Sequence, residues 1–496
     1  MKVWKLFAIG FGVIACASLL MLNSCGGSSD FSRAYLDKYV ELETETTLKA
    51  HAMKPGLSVY VDFSDGMNAA YGSQLSQDAL RKVINVFTGV DQKASFFSLA
   101  DSKITPLELS QTQIYNEIMS AKNYTKPMAP IEETLKTIVE KSQPALLITD
   151  FEEYNGGVIQ QQNYAKDYFI NWLKKGYYIT FYKIDYKEGS KPKHLYFTVF
   201  DSPSNSLAST VENALMPFIG NGMERFVLAG RDYSYDIATD YPSSTKGGSY
   251  HNSNGEDIVS AVYEDGKSEA YYAYSGNFRD PEAAKNRSNF ATLNTLYGPF
   301  IQYYPLGDNF ENIISNISAT QEEGVEPGDK FTHLLSKVYV NFSVQDGFII
   351  KSVKAQILDF SSAMSHFIAK HEEQSEEEAT IGIPADMPAS KEVLDMFEAS
   401  ITPAKVPQLK GNGWYEILFD FDPRFKGAIP ASMQDERDLL KADIVIAEAV
   451  PNTEGLSEFF SWPGNNSLEQ SVLNTLNDPD INPKGSVVIT YFLKVI

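Results

Sequence analysis

The chain has 496 residues, of which 43% are hydrophobic, 12% are aromatic and 21% are charged. This apolar content excludes a disordered chain, and the length predicts two or three domains. The formal net charge of -22 argues against nucleic acid as a partner, because duplex binding depends on clusters of Lys and Arg and the sequence contains no such cluster.

Residues 1–24 have the pattern of a secretory signal peptide. Lys2 and Lys5 precede an apolar run from Leu6 to Leu22, which is short for a membrane span. The sequence "LNSC" then ends at Cys25 and resembles the lipobox of bacterial lipoproteins. The resemblance implies that Cys25 is lipidated and becomes the first residue of the mature chain. The alternatives are an uncleaved anchor and a cleaved signal followed by an unmodified Cys25.

The segment after the signal indicates how the mature chain is held. By resemblance to the known sorting pattern, Gly26 favours the outer membrane, with the protein facing the periplasm or the cell surface. Residues 25–54 are predicted to be a lipidated cysteine and a tether, because "GGSSD" is flexible and only weak helical spacing follows it. Cleavage before Cys25 also removes Cys16, so no disulfide is expected.

Residues 55–219 alternate between predicted strands and helices. Apolar runs at 57–63, 94–101, 144–151 and 177–186 predict strands, and amphipathic stretches such as 76–89 predict helices between them. This alternation is typical of an α/β fold with a mainly parallel sheet and helices on both faces. Ligands of such folds bind beyond the carboxyl ends of the strands.

Three motifs in this α/β region resemble those of the von Willebrand factor A (vWA) family. "DFSDGM" is similar to the family's Asp-x-Ser-x-Ser signature, "NYTKPMAPIEETLKTI" to its threonine-bearing loop and helix, and "LLITDFEEYNGG" to its third motif. The resemblance implies a vWA-like, Rossmann-like fold and a divalent-metal site formed by Asp62, Ser64, Thr125 and Asp150. Mg²⁺ is the expected ion and Mn²⁺ or Ca²⁺ are alternatives, since such cations prefer oxygen ligands. In this family, a carboxylate from a partner protein commonly completes the coordination.

The chain departs from the signature at Gly66, which stands where the second serine is expected. This departure removes one hydroxyl ligand. A degenerate site, in which Asp62 and Asp150 act only as turn and capping residues, therefore stays open as an alternative. Glu152 and Glu153, beside Asp150, either enrich the site or form a solvated loop edge.

Residues 223–496 are predicted to be β-rich, as one or two sandwich-like modules with a boundary near 320–330. "KVYVNFSVQ" and "FIIKSVKAQILDF" predict a hairpin around Asp346 and Gly347, and two further strands are predicted near the C-terminus. The stretches 241–257 and 372–378 have the composition of solvated loops. Aromatic stretches at 271–278 and 297–304 offer weak support for glycan binding, although such tyrosines more often form cross-strand pairs.

The sequence favours a binding protein over an enzyme. It contains no nucleophile signature, no histidine pattern for a catalytic metal and no phosphate-binding loop. The predicted function is a membrane-anchored lipoprotein whose vWA-like domain binds a partner protein through a divalent metal ion. The alternatives are a structural subunit of an envelope complex with a degenerate metal site and a protein that binds or processes envelope glycans, because catalytic carboxylate pairs can come from distant segments.

Overall fold

A computed structural model describes residues 33–89, 94–155, 158–159, 162–231, 233, 235–239, 291–294, 301–305, 335–372, 382–392, 397–405, 409, 412–421 and 439–494. The predicted signal peptide, Cys25, the stretches 241–257, 271–278 and 373–378, and the module boundary near 320–330 lie outside the described residues. Within these ranges, the helices are too short or too polar to cross a membrane.

A seven-stranded sheet organises the first half of the described chain. Its order is β3-β2-β1-β4-β8-β7-β9. Neighbours β2, β1 and β4 are parallel, the remaining pairs are antiparallel, and four of the seven strands run in one direction. The strands are β1 (Ser58–Asp62), β2 (Ser95–Ala100), β3 (Lys103–Pro106), β4 (Ala145–Thr149), β7 (Tyr178–Glu188), β8 (Lys191–Asp201) and β9 (Met223–Ala229). A separate two-stranded ribbon consists of β5 (Tyr154–Asn155) and β6 (Val158–Ile159).

Helices cover both faces of this sheet, which confirms the predicted α/β class. One face packs against α2 (Asp65–Ala70), α3 (Gln74–Phe87), α4 (Gln111–Ile118) and α7 (Leu207–Leu215). The other face packs against α5 (Ile131–Lys141) and α6 (Lys166–Leu173). Local sequence explains these helices: Ser73 caps α3 by accepting a hydrogen bond from the Ser76 N–H, and Leu80, Val83 and Phe87 recur at helical spacing on its buried side.

The α/β region continues beyond its predicted end at residue 219. Strand β9 pairs with β7 along Met223–Ala229 and belongs to the sheet. Gly220 and Gly222 have φ values of 77° and 95°, which favour glycine and allow the chain to reverse between α7 and β9. The local sequence pattern assigns this strand to the β-rich region, because the pairing of β9 with β7 depends on residues far apart in the chain.

Among the described residues of the β-rich region, two five-stranded sheets are formed. The first, β11-β10-β13-β17-β16, is antiparallel throughout, and the second, β12-β19-β18-β14-β15, is antiparallel except for β12 with β19. Apolar residues of both sheets join one core cluster with the α5 and α6 face of the α/β region. The strands are β10 (Asp236–Thr239), β11 (Ala291–Asn294), β12 (Ile301–Pro305), β13 (Leu335–Asn341), β14 (Phe348–Asp359), β15 (Lys391–Glu392), β16 (Phe397–Pro403), β17 (Trp414–Phe421), β18 (Leu439–Pro451) and β19 (Val487–Lys494).

The predicted hairpin around Asp346 and Gly347 is wrong. Strands β13 and β14 lie in different sheets, although both are strands as predicted. A short 3₁₀ turn (Phe342–Val344) follows β13, and the Asp346 carboxylate accepts a hydrogen bond from the Val227 N–H of β9 at 2.7 Å. That contact with the α/β region directs the chain from one sheet to the other.

Four more helices lie within the described residues, and one of them corrects the predicted tether. Helix α1 (Arg33–Ala50) packs against α8 (Ser361–Glu372), while α9 (Leu456–Phe460) and α10 (Ser467–Leu476) follow β18. The Tyr39 ring in α1 lies 5.1 Å from the Phe360 ring and 5.4 Å from the Phe367 ring. Residues 33–50 are therefore a packed helix. The burial of these aromatic rings stabilises it, although its amphipathic pattern is weak.

Replacing Tyr39 with Ala is expected to lower the free energy of unfolding by about 3–5 kcal/mol, because it empties an aromatic contact in the core. Chemical denaturation of the full chain measures this change. Glu45→Ala, on the exposed side of the same helix, is the matched control and is expected to change stability by less than about 0.5 kcal/mol. Equal effects of the two substitutions would show that α1 does not dock.

Candidate functional site

Three of the four predicted metal ligands meet at one edge of the seven-stranded sheet. Asp62 ends β1, Ser64 precedes α2, and Asp150 directly follows β4. Because β1 and β4 are parallel neighbours, their carboxyl ends lie side by side. Asp62, Ser64 and Asp150 are 1%, 8% and 2% exposed, so the cluster lies beneath the surface.

The threonine loop reaches the same edge but presents its side chain to solvent. The Asp65 N–H donates to the Lys126 carbonyl at 2.7 Å, and the Lys126 N–H donates to the Phe63 carbonyl at 3.3 Å. These bonds hold the loop against the turn between β1 and α2. Thr125 itself is exposed, in contrast to the buried aspartates.

The oxygens of the two aspartates are engaged by protein donors. Asp62 accepts hydrogen bonds from the Ser64 N–H at 2.7 Å and from the Thr149 hydroxyl at 2.8 Å, one on each oxygen. Asp150 accepts from the Glu152 N–H at 3.0 Å, and its other oxygen lies 3.4 Å from the Tyr186 hydroxyl. Burial raises the pKa of Asp62, and burial together with the nearby Asp62 and Glu152 carboxylates raises the pKa of Asp150.

Lys193 enters this cluster from the β7–β8 hairpin and was missed by sequence reasoning. Both strands have 11 residues whereas β4 has five, and Thr149 at the end of β4 pairs with Tyr196, so residues 191–195 extend past the edge. The Lys193 ammonium lies 2.9 Å from a Glu152 oxygen and 2.8 Å from a Glu188 oxygen. Burial alone would lower the pKa of Lys193, but the Asp150, Glu188 and Glu152 carboxylates outweigh burial and raise it. In the sequence, Lys193 is only a charged residue beside an apolar run, and this pattern does not indicate that its ammonium group lies among buried carboxylates.

A C-terminal segment closes the cluster from the other side. The Trp462 indole N–H donates to Glu152 at 3.1 Å, and the Tyr154 hydroxyl donates to the other Glu152 oxygen at 3.0 Å. The Tyr196 hydroxyl donates to the Phe459 carbonyl at 2.6 Å, which holds α9 against the sheet. Glu152 is thus a buried member of the cluster, not a solvated loop edge.

Glu153 has a different role from its neighbour. Its carboxylate accepts a hydrogen bond from the Glu132 N–H at 2.8 Å, at the first turn of α5. Burial raises its pKa to about 7, although the hydrogen bonds from the helix lower it. Glu153 therefore caps α5 and does not enrich the acidic cluster.

The arrangement of donors does not fit a divalent cation. Mg²⁺ requires near-octahedral coordination by oxygen atoms, and each oxygen of Asp62 already uses one of its two acceptor positions for a protein donor. An ammonium group lies beside the remaining carboxylates. Across the part of the chain that the structure describes, no group of three or more His, Cys, Asp or Glu side chains could hold a metal ion. The metal site stays a prediction that this geometry does not favour.

Comparisons of the chain with protein-family models, with curated proteins and with solved structures find no match. The α/β architecture and the additional antiparallel sheets therefore rest on the structure alone. The vWA resemblance stays a prediction from the quoted motifs.

Trp462→Phe is expected to lower the free energy of unfolding by about 1–3 kcal/mol, because the buried Glu152 carboxylate loses a hydrogen-bond donor. A double-mutant cycle with Glu152→Gln, followed by chemical denaturation, is expected to show a coupling energy above about 0.5 kcal/mol. Glu454→Ala, at an exposed position of the same segment, is the control. Strictly additive effects would contradict the contact.

The raised pKa of Asp150 predicts that stability depends on pH. A carboxyl group whose pKa is higher in the folded state contributes its full stability below the unfolded value of about 3.9 and loses it as the pH rises toward the folded value. The free energy of unfolding should therefore fall above pH ~4, by up to about 1.4 kcal/mol per pH unit for one proton. Asp150→Asn is expected to flatten this fall, as measured by denaturation between pH 4 and 8, with the exposed Asp167→Asn as control. A slope that Asp150→Asn leaves unchanged would contradict the burial argument.

Proposed function

We propose that this chain is a lipid-anchored protein of the bacterial outer membrane and serves as a structural, partner-binding subunit of an envelope complex. The lipobox-like sequence ending at Cys25 and the signal pattern before it support the anchor. The vWA-like motifs support a role in protein binding. No catalytic activity is proposed, and the cluster is treated as a degenerate metal site.

The enclosure of the acidic cluster carries this proposal. A partner carboxylate that completed a metal site would need access to Asp62, Ser64 and Asp150, but all three are buried. Glu152, two residues after Asp150, is itself buried and bonded to the Lys193 ammonium and the Trp462 indole N–H. Partner recognition is therefore expected on the exposed surface around the edge, which includes Thr125 and Lys126, and not at the aspartates.

The packing of the two regions fits a structural subunit. One core cluster contains Phe181 and Tyr196 of the α/β sheet together with Phe460 and Ile444 of the C-terminal half. The Phe181 and Phe460 rings lie 5.1 Å apart in an edge-to-face arrangement. Such a shared core resists movement of one region against the other, which suits a frame that presents fixed surfaces.

Photo-crosslinking in cells tests the proposal. The full chain would carry a photoreactive amino acid at Thr125 or Lys126, beside the cluster, or at Glu140, an exposed residue near the end of α5 at the opposite edge. Discrete crosslinks to envelope proteins are expected from the first positions and are expected to persist in Asp62→Asn, because the buried aspartate does not contact the partner.

The contradicting results are equally specific. Crosslinks that disappear in a folded Asp62→Asn protein would indicate capture through a metal, and no discrete crosslink from any position would oppose a subunit role. Cys25→Ser should move the chain out of the membrane fraction and serves as the control for the anchor.

A further inference from the structure

We propose that the ammonium group of Lys193 takes the place of the divalent cation that the vWA signature would bind, so that this site is complete without a metal ion. The inference rests on the atoms of the site and not on partner binding. It relates the departure from the signature at Gly66 to the neighbouring ammonium group of Lys193.

The first step concerns the space beside Gly66. A Cβ atom at this position would lie 3.0 Å from an Asp150 oxygen, 3.6 Å from the Lys193 ammonium and 4.0 Å from the Ser64 hydroxyl. The position expected for the second signature serine is thus adjacent to the lysine and to two of the predicted metal ligands. The ammonium group therefore lies beside the space that this serine would occupy, where it is paired with Glu152 and Glu188.

The second step links the glycine to the lysine. A contact of 3.0 Å between a Cβ atom and a carboxylate oxygen is tighter than side chains normally adopt, so a serine here would press on Asp150. The Lys193 ammonium lies 3.6 Å from the same Cβ position, so the serine and the lysine would share this space. Glycine at position 66 therefore leaves room for the ammonium group beside Asp150, and the missing hydroxyl ligand and the lysine belong together.

The third step concerns the exclusion of a second cation. Lys193 is held at 2.9 Å and 2.8 Å by Glu152 and Glu188, and its side chain is only 7% exposed, so it cannot swing into solvent without breaking both ion pairs. Like charges repel strongly where water is excluded. A divalent ion between Asp62, Ser64 and Asp150 would lie close to this ammonium and would be repelled by it.

The site differs from an ordinary buried ion pair in a testable way. If Lys193 only stabilised the hairpin, its removal would weaken the fold without creating affinity for metal. If it replaces the ion, removing it and restoring the serine should create a metal site from the residues that remain. Gly66→Ser alone should not, because the ammonium is still present.

The experiment compares the full-length wild type, Gly66→Ser, Lys193→Ala and the double variant, each purified in detergent. Thermal unfolding would be recorded in chelator and then in excess Mg²⁺ or Mn²⁺. The double variant is expected to gain a metal-dependent rise of a few degrees in its midpoint, which adding Asp62→Asn abolishes. Wild type and Gly66→Ser are expected to show no change that depends on Asp62.

Two results would overturn the proposal. One is Mn²⁺ binding by the wild type that Asp62→Asn abolishes. The other is a folded double variant whose unfolding midpoint does not change in Mg²⁺ or Mn²⁺. If the double variant does not fold, equilibrium dialysis of Mn²⁺ with wild type and Asp62→Asn decides: equal retention supports the proposal, and retention specific to wild type overturns it. Neither measurement involves a partner, so its outcome is independent of the crosslinking result.

Discussion

The ion pairs of Lys193 connect parts of the chain that are far apart in sequence. The ammonium joins Glu152, which follows β4, to Glu188, which ends β7, and Glu152 also receives the Trp462 indole N–H. A buried charge is tolerated only when it is paired and hydrogen-bonded. Lys193 and Glu152 therefore link the edge of the sheet, the β7–β8 hairpin and the C-terminal segment.

The charge balance of the cluster follows from that constraint. The Lys193 ammonium is paired with Glu152 and Glu188 and interacts electrostatically with Asp150, and burial raises the pKa values of Asp62 and Asp150. Asp62 accepts hydrogen bonds from a backbone N–H and a hydroxyl, so both of its oxygens have partners without a metal ion. The enclosure that results favours a structural role for the cluster over an open binding site.

Local patterns in the sequence predicted the individual strands and helices, whose formation depends mainly on neighbouring residues. Apolar runs identified β1 and β4, helical spacing identified α3, and the motif order placed Asp62, Ser64 and Asp150 at the carboxyl edge of the sheet. These features depend on periodicity and on parallel strands whose ends coincide.

Features that depend on distant contacts were not predictable from the sequence. The reach of Lys193 depends on how far the β7–β8 hairpin extends past β4, and Trp462 lies 310 residues from its acceptor Glu152. The same limit explains why the local pattern predicts a hairpin of β13 and β14, and a tether in place of α1 although Tyr39 packs on Phe360. In the sequence, Gly66 departs from the vWA-like signature, and this departure indicates that the predicted metal site is incomplete.

An anomalous difference map from crystals of the protein soaked in Mn²⁺ would show whether a metal ion binds beside the Lys193 ammonium. We expect density for the Lys193 side chain between Glu152 and Glu188 and no anomalous peak among Asp62, Ser64 and Asp150. A Mn²⁺ peak at that position, with Lys193 displaced from the two glutamates, would contradict this expectation.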